Sequence, residues 1–176
     1  MFSTFFAGCE NDIEKVKLVT DRTETPGETS NGLIILYSDS ARIKVKVKTP
    51  TLDRYTGENP KTILPEGVFV EFYDSFQRIS STLSSKYAIR YDNEHKMEAK
   101  NDVVVINAKG ERLNTEHLIW DENSARIFSD AAVTITTPDK VIMGDGFEAN
   151  QDFTQYRIFK MKGTITLNNN EHAANP

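Results

Sequence analysis

The fold is decided by residues 113–137, LNTEHLIWDENSARIFSDAAVTITT, because this stretch repeats residues 83–107, LSSKYAIRYDNEHKMEAKNDVVVIN. Apolar and turn positions keep step through both copies: Leu83 with Leu113, Ile89 with Ile119, Asn93 with Asn123, Met97 with Ile127, Val103 with Val133 and Val105 with Ile135. A unit of this size is too small to bury its own apolar face, so successive units stack and share one core. The repeat predicts an all-β stack of meandering antiparallel strands.

A second pattern, strict alternation, defines the individual strands. In ARIKVKVKT, residues 41–49, apolar and basic side chains alternate with the period of two that marks a strand with one buried and one wet face. Turn-forming residues separate such runs, and no segment carries a long helical period. We predict a strand domain over residues 33–168, preceded by a polar linker at 13–32 and followed by a disordered tail at 169–176.

The repeat predicts one row of apolar side chains on the inward face of the strands: Ile89, Met97, Val103, Val105, Ile119, Ile127, Val133 and Ile135. Two arrangements fit this row. If the two sheets press together, the row is an ordinary buried core. If they splay, it forms an apolar trough, in which each methylene of an acyl chain gains about 0.8 kcal/mol on leaving water. The residues alone leave both arrangements open.

Composition argues against several classes of function. The chain has 21 Lys and Arg against 26 Asp and Glu, a formal net charge of -5, so it lacks the positive field that holds nucleic-acid phosphates. Its single cysteine, Cys9, cannot form an internal disulfide or a multi-cysteine metal site. No apolar stretch approaches the roughly 20 residues that a membrane-spanning helix needs.

The start of the chain, MFSTFFAGC, has a short apolar run and two small residues directly before Cys9. This order is similar to the end of a bacterial lipoprotein signal, in which the cysteine is acylated and becomes the new N-terminus. We therefore predict that residues 1–12 are a signal-like start and that Cys9 is a lipid anchor. The run is shorter than the roughly 7 to 15 residues of a secretory signal and follows no basic residue. A clipped signal and a frayed apolar terminus stay open as explanations.

The polar cluster at residues 116–122 has the composition of an acid-base site but not its geometry. Alternation along a strand sends Glu116 and His117 to opposite faces, while Asp121 and Glu122 fall in the turn before the next strand. Acid-base catalysis needs groups that converge within hydrogen-bond reach, so no catalytic site is predicted. The three histidines share no ligand spacing, and GDGFEANQD departs from the calcium-loop pattern, so no metal or other cofactor is predicted.

Two surface features keep two interpretations each. Lys44, Lys46 and Lys48 form a basic outer stripe that could meet anionic lipid headgroups, or could protect an edge strand from aggregation. Trp120 stands opposite the predicted inward row, and either packs in a second apolar layer or lies at the rim of a groove.

Three motifs follow one another in the second half of the chain. They are G-x-x-L-x-T-x-x-L-x-W-D at residues 110–121, S-D-x-x-V-x-I at 129–135 and G-x-G-F-x-x-x-x-x-F at 144–153. Together they resemble the C-terminal part of the LptC family of lipopolysaccharide export proteins. The similarity is strongest over residues 66–163, and the Cys9 start resembles the lipoprotein-like members of that family.

The resemblance implies a periplasmic antiparallel β-jellyroll, anchored to the inner membrane, whose two stacked sheets enclose an open apolar groove. It adds Phe147 and Phe153 to the predicted groove residues. Such a protein accepts lipopolysaccharide acyl chains from an inner-membrane ABC transporter and passes them to a periplasmic bridge protein of the same fold. The contacts run edge to edge, with the first strands toward the transporter and residues 153–167 toward the bridge protein.

No enzymatic step and no nucleotide site follow from this resemblance. The rival interpretation, which needs no ligand, is a structural or adhesive β-repeat protein of the cell envelope with a closed core.

Overall fold

The computed structural model of the chain describes residues 25–150, 153 and 155–167. In these residues twelve strands and no helix are present, and the strands join in one antiparallel hydrogen-bonded sheet. The prediction of an all-β antiparallel jellyroll is confirmed. The predicted anchor at Cys9, much of the predicted linker and the predicted tail lie outside the described residues.

The strands are β1 (Glu28–Asp39), β2 (Arg42–Tyr55), β3 (Lys61–Leu64), β4 (Val68–Tyr73), β5 (Ile79–Ser85), β6 (Tyr87–Tyr91), β7 (Lys96–Asn107), β8 (Arg112–Asp121), β9 (Arg126–Thr136), β10 (Lys140–Asn150), β11 (Tyr156–Ile158) and β12 (Met161–Thr166). β1 begins inside the stretch predicted as linker. Its first residues are polar, which hides them from an apolar pattern, but Glu28 pairs with Arg54 at the far end of β2.

Long strands carry the sheet from one layer to a second. The first half of β7 pairs with β6, and its last residues, Val104–Asn107, pair with β5. β2 divides in the same way between β4 and β3. β8 pairs with β7, β9 with β8 and β10 with β9, and these strands also run through both layers. The sheet is therefore folded double, with β4, β5 and β12 in the first layer and β3, β6 and β11 in the second, while β1 follows β2 through both.

The strands bend where they pass between the layers, and we call this row of bends the bend line. The ladder shifts register there, between Lys100 and Val103 in β7 and between Thr115 and Ile119 in β8. Extra residues in one strand of a pair bend that strand and strengthen its twist. The bends thus turn one long meander into two facing layers.

Buried hydroxyl groups satisfy backbone carbonyls along the bend line. Thr115 Oγ1 lies 3.0 Å from the carbonyl oxygen of Ala132 and 3.3 Å from Ser129 Oγ. Thr49 Oγ1 lies 2.9 Å from the carbonyl oxygen of Gly67. A bend removes backbone groups from the ladder, and a buried group left without a partner is costly. These hydroxyl residues are therefore part of the bend itself.

The predicted repeat is visible in the packing. Val103 and Val133 are 0% and 2% exposed, and the next inward residues, Val105 and Ile135, are 2% exposed each. The hairpin turn between β6 and β7 recurs as the turn between β8 and β9. Each copy contributes one hairpin to the shared interior, as a stack of small units requires.

Candidate functional site

An apolar cavity of about 470 Å³ lies between the two layers and is lined by strands β1–β9. The first layer and β2 contribute mainly Val45, Val47, Val68, Val70, Phe72 and Leu83. The facing wall is formed mainly by Leu64, Ala88, Met97, Ala99, Leu118, Trp120 and Ile127. Aliphatic and aromatic walls of this kind bind an apolar chain through burial, not through directed hydrogen bonds.

Polar residues form a rim on one side of the cavity. Asp39 and Lys44, both exposed, come from the hairpin between β1 and β2. On the second layer, Arg90 Nη1 lies 3.0 Å from Glu122 Oε1, and Arg90 Nε lies 3.1 Å from Asp92 Oδ1. The rim is therefore wet and carries both charge signs, while the walls below it are apolar.

The other half of the interior is densely packed. Phe147 is 2% exposed and Phe153 4% exposed, in one cluster with buried residues of β7, β8 and β9. The ring of Phe153 meets the ring of Phe72 edge-on, with centroids 6.2 Å apart. Phe72 also lines the cavity, so Phe153 packs against the cavity wall. The interior thus has an open half and a dense half.

The residues predicted to line a groove fall into three places. Met97 and Ile127 line the cavity. The dense half contains Val103, Val105, Val133, Ile135, Phe147 and Phe153. Ile89 and Ile119 both stand in register with Glu98, on the face of their strands opposite to Ala88 and Leu118. Contact of these residues with lipid stays a prediction.

A β-bulge accounts for the position of Ile119. Leu113 and Thr115 are buried with a period of two. The next inward residue, Leu118, follows Thr115 after two residues instead of one, and the period of two then resumes with Trp120. The bulge reverses the alternation, so Ile119 turns to the opposite face. Strict alternation therefore misses Leu118 and Trp120 as cavity residues. The signal that could have identified them is the T-x-x-L spacing, which departs from a period of two.

Trp120 combines the two roles that the sequence left open. It lines the cavity and also packs against the buried cluster of the dense half. Its Nε1 is buried and has no hydrogen-bond partner among the described residues. The indole is therefore placed for its apolar surface.

The basic stripe on β2 does not protect an edge, so that interpretation is wrong. β2 pairs with β1 on one side and with β4 and β3 on the other. Lys46 Nζ and Lys48 Nζ lie 3.7 and 3.2 Å from the Glu71 carboxylate, and Lys48 also lies 5.4 Å from the Phe69 ring centroid. The stripe therefore divides into two lysines that share the Glu71 carboxylate and Lys44 at the rim, for which headgroup contact stays a prediction.

Asp121 acts in the turn between β8 and β9, as the sequence predicts. Its Oδ1 accepts hydrogen bonds from the backbone N–H groups of Asn123, at 2.9 Å, and Ser124, at 3.4 Å. The hydrogen bond from the Ser124 side chain, helped by these backbone donors, lowers the pKa of Asp121 below its ordinary value. The carboxylate stabilises the turn.

His117 belongs to a cross-strand ionic cluster that alternation along one strand could not reveal. Its Nε2 lies 3.1 Å from Glu98 Oε2, and its Nδ1 lies 3.6 Å from Asp130 Oδ1. Lys100 Nζ lies 2.6 Å from the same Glu98 oxygen. Burial raises the pKa of Glu98, but hydrogen bonds from Lys100 and His117 outweigh it and leave the pKa lowered. In the described part of the chain, no group of three or more His, Cys, Asp or Glu is arranged to hold a metal ion.

Comparison with known proteins decides the family. Residues 34–166 match the family model described as "Lipopolysaccharide-assembly, LptC-related". The chain belongs to the LptC family. It is therefore a component of lipopolysaccharide transport in the cell envelope. A comparison with curated proteins gave no match. Over residues 25–150, 153 and 155–167, no helix has the length and apolar character to cross a membrane.

The G-x-G-F motif of this LptC-family chain lets the segment from Ile158 to Lys160, at the end of β11, lie close against β10. A Cβ at Gly144 would lie 2.5 Å from Ile158 Cγ2 and 2.7 Å from the carbonyl oxygen of Phe159. Gly146 has a φ of 91°, which L side chains rarely adopt. Phe147, next along the chain, is then directed into the dense half. The first glycine of the motif is required because the backbone of Phe159 lies close to it, and the second because of its backbone conformation.

The L-x-T-x-x-L-x-W-D motif of the LptC-family chain builds the bend and the cavity wall. Leu113 and Leu118 are buried on the two sides of the bend line, and the hydroxyl of Thr115 lies within it. Trp120 lines the cavity and Asp121 stabilises the following turn. Each position of the motif thus has a structural reason, and together they position one wall of the candidate lipid site.

Proposed function

We propose that the chain is a non-enzymatic periplasmic subunit that accepts the acyl chains of lipopolysaccharide in the cavity between its two layers. The observation that carries this proposal is the apolar cavity of about 470 Å³ with a polar rim, in a chain of the LptC family. Each methylene that leaves water gains about 0.8 kcal/mol. Such binding grows in small increments, so a chain can enter and leave without breaking a strong directed bond.

The proposed transfer has a donor and an acceptor at opposite edges of the sheet. Among the described strands, β1 pairs only with β2 and β12 only with β10. An edge strand offers free N–H and C=O groups that a partner strand can join. Apolar side chains accompany both edges, with Leu36 53% and Ile165 54% exposed. We assign β1 to the inner-membrane ABC transporter and β12 to a periplasmic bridge protein of the same fold.

The proposed attachment to the inner membrane is through Cys9, which rests on the sequence alone. Lipidation of Cys9 would hold the jellyroll near the transporter and leave residues 10–27 to span the distance to β1. Cys9→Ala is expected to move the protein from the membrane fraction to the soluble fraction. Unchanged fractionation would count against lipidation.

Two adjacent positions test the cavity as the lipid site. Leu118 lines the cavity, and Ile119 points to the opposite face of the same strand. A photo-crosslinking amino acid is introduced at each position in cells that make lipopolysaccharide. The proposal predicts a lipopolysaccharide adduct from position 118 and none from position 119, whereas the groove row predicted from the sequence alone would place the adduct at position 119.

The outcome separates the proposal from its rival. Equal adducts at both positions would indicate adventitious surface contact. No adduct at position 118, in protein shown by circular dichroism to be folded, would favour a structural envelope protein with no ligand. A third variant at Val70 on the facing wall, where an adduct is also expected, guards against local disruption of β8.

A further inference from the structure

The turn between β4 and β5 is held rigidly by its own side chains. Asp74 Oδ1 accepts hydrogen bonds from the backbone N–H groups of Phe76, at 2.8 Å, and Arg78, at 2.9 Å. Arg78 Nη2 lies 2.8 Å from the other oxygen of the same carboxylate. Gln77 has a φ of 62°, a conformation that non-glycine residues rarely adopt. The turn is therefore fixed in one conformation.

The same turn is tied to the hairpin between β1 and β2. Gln77 Oε1 accepts a hydrogen bond from the Ile43 backbone N–H at 3.1 Å, and Gln77 Nε2 donates to the Ile43 carbonyl at 3.0 Å. Arg42 Nη1 donates to the carbonyl of Ser75 at 3.0 Å. The two turns form one projection, which we call the tip and define as residues 37–44 and 74–79.

The tip presents apolar side chains to water. Phe76 is 77% exposed, the highest value for a large apolar residue in the described part of the chain. Ile79 is 47% exposed and Tyr37 43% exposed. The guanidinium of Arg78 lies 5.1 Å from the Phe76 ring centroid. The exposed apolar side chains of the tip together form a patch on a fixed turn, and exposed apolar patches mark interaction sites.

The charges of the tip favour an anionic surface. The tip contains three cations, Arg42, Lys44 and Arg78, and two carboxylates, those of Asp39 and Asp74, so its net charge is +1 in a chain whose net charge is -5. The Asp74 carboxylate is bonded inside its own turn. Aromatic rings with adjacent cations are typical of the bilayer interface, where the ring lies among headgroups and the cation meets phosphate. A protein-binding hot spot instead lies at the centre of a broad patch that excludes water, and Phe76 stands at the end of a turn.

We propose that the tip docks on the surface of a phospholipid bilayer that contains anionic lipids, with Phe76 inserted among the headgroups. Tyr37, Asp39 and Lys44 of the tip also line the cavity, so this contact brings the cavity rim against the lipid surface. The docking goes beyond the proposed transfer function. The tip would contact the bilayer whether or not the cavity binds lipopolysaccharide.

The test uses the full chain with Cys9→Ser, so that one new cysteine can be labelled. An environment-sensitive nitrobenzoxadiazole dye is attached at Phe76→Cys or, as the matched control, at Met161→Cys. Met161 is 63% exposed on β12, far along the sheet from the tip. Vesicles of phosphatidylethanolamine and phosphatidylglycerol are added, and vesicles of phosphatidylcholine alone serve for comparison. We expect a blue shift and a rise in emission at position 76 with anionic vesicles, a smaller response with phosphatidylcholine, and none at position 161.

Three results would overturn the proposal. The dye at position 76 could stay in water while the protein sediments with vesicles, which would assign binding to another part of the chain. Positions 76 and 161 could respond alike. The response at position 76 could instead rise with protein concentration in the absence of vesicles, which would assign the tip to self-association. None of these outcomes affects the crosslink expected at Leu118, so docking and lipid transfer fail separately.

Discussion

At the scale of the residue, Gly144 is a position where one added methyl group has a clear cost. Its Cβ would lie 2.7 Å from the carbonyl oxygen of Phe159, and a backbone atom cannot rotate away. Gly144→Ala is expected to lower the free energy of unfolding by about 1 to 3 kcal/mol, as overpacking does. Urea unfolding followed by circular dichroism measures the change.

Gly163→Ala is the matched control for that substitution. A Cβ at Gly163 would lie 3.7 Å from Met143 Cε, an ordinary contact with a flexible side chain. We therefore expect little change in the free energy of unfolding. Removing a glycine without strain stabilises a protein slightly, because it lowers the entropy of the unfolded chain. Equal losses for both variants would therefore mean that the close approach of Phe159 to Gly144 does not explain the effect.

At the scale of the element, the bend in β8 depends on the Thr115 hydroxyl. Thr115→Val keeps the shape of the side chain but removes the group that lies 3.0 Å from the Ala132 carbonyl. The buried Ser129 hydroxyl and the Ala132 carbonyl both lose a hydrogen-bond partner, so we expect the free energy of unfolding to fall by about 1 to 3 kcal/mol. Thr134→Val, on the outer face of β9 opposite Asn114, is the control. A loss at Thr134 as large as that at Thr115 would contradict a special role for the bend.

The contact between Glu98 of β7 and His117 of β8 makes the free energy of unfolding depend on pH. Glu98 has a pKa below its ordinary value of 4.5 in the folded chain, where Lys100 and His117 bond to its carboxylate. Because the pKa of this carboxyl is lower in the folded state than in the unfolded state, the ionised carboxylate stabilises the fold at pH values above the unfolded-state pKa. This stabilisation is lost as the pH falls through the folded-state pKa. We expect wild-type unfolding free energy to decrease on acidification below pH 4.5, and Glu98→Gln to lose less over the same range.

Glu94→Gln controls for the removal of any surface carboxylate near β7. Glu94 is 58% exposed in the side chain and lies 3.3 Å from Lys96. Urea titrations at a series of pH values compare the three proteins. If Glu94→Gln flattens the acid dependence as much as Glu98→Gln, the stabilisation comes from general charge and not from the cross-strand pair.

The elements also show how far sequence reasoning extends. Hairpins and turns follow from local patterns, so the repeat, the turn at Asp121 and the antiparallel meander were predictable. Which face Ile119 occupies depends on a bulge, which forms because β8 passes between layers built from distant segments. The pairing of His117 with Glu98 likewise depends on strand register, which one strand alone does not encode.

At the scale of the whole molecule, the two halves of the interior use the same residue types. Val70 lines the cavity, whereas Val105 lies in the dense half, and both belong to alternating runs of the same kind. The difference lies in what faces them: the dense half is filled by Phe147 and Phe153, which come from β10 and the chain that follows it. Sequence alone does not distinguish a closed core from a trough because the separation of the layers is a property of the assembled sheet.

Because the interior has an open half and a dense half, a larger side chain is expected to affect the free energy of unfolding differently at two positions of β7. Ala99 lines the cavity, and Val103, beyond the bend in β7, is 0% exposed in the dense half. Ala99→Phe has space to fill, so we expect its free energy of unfolding to stay within about 1 kcal/mol of wild type, whereas Val103→Phe should lose about 1 to 3 kcal/mol or more. Urea unfolding measures both, and crosslinking from position 118 should lose its lipopolysaccharide adduct in folded Ala99→Phe. Equal destabilisation at the two positions would mean that the cavity closes in solution, and a retained adduct would mean that the acyl chain lies elsewhere.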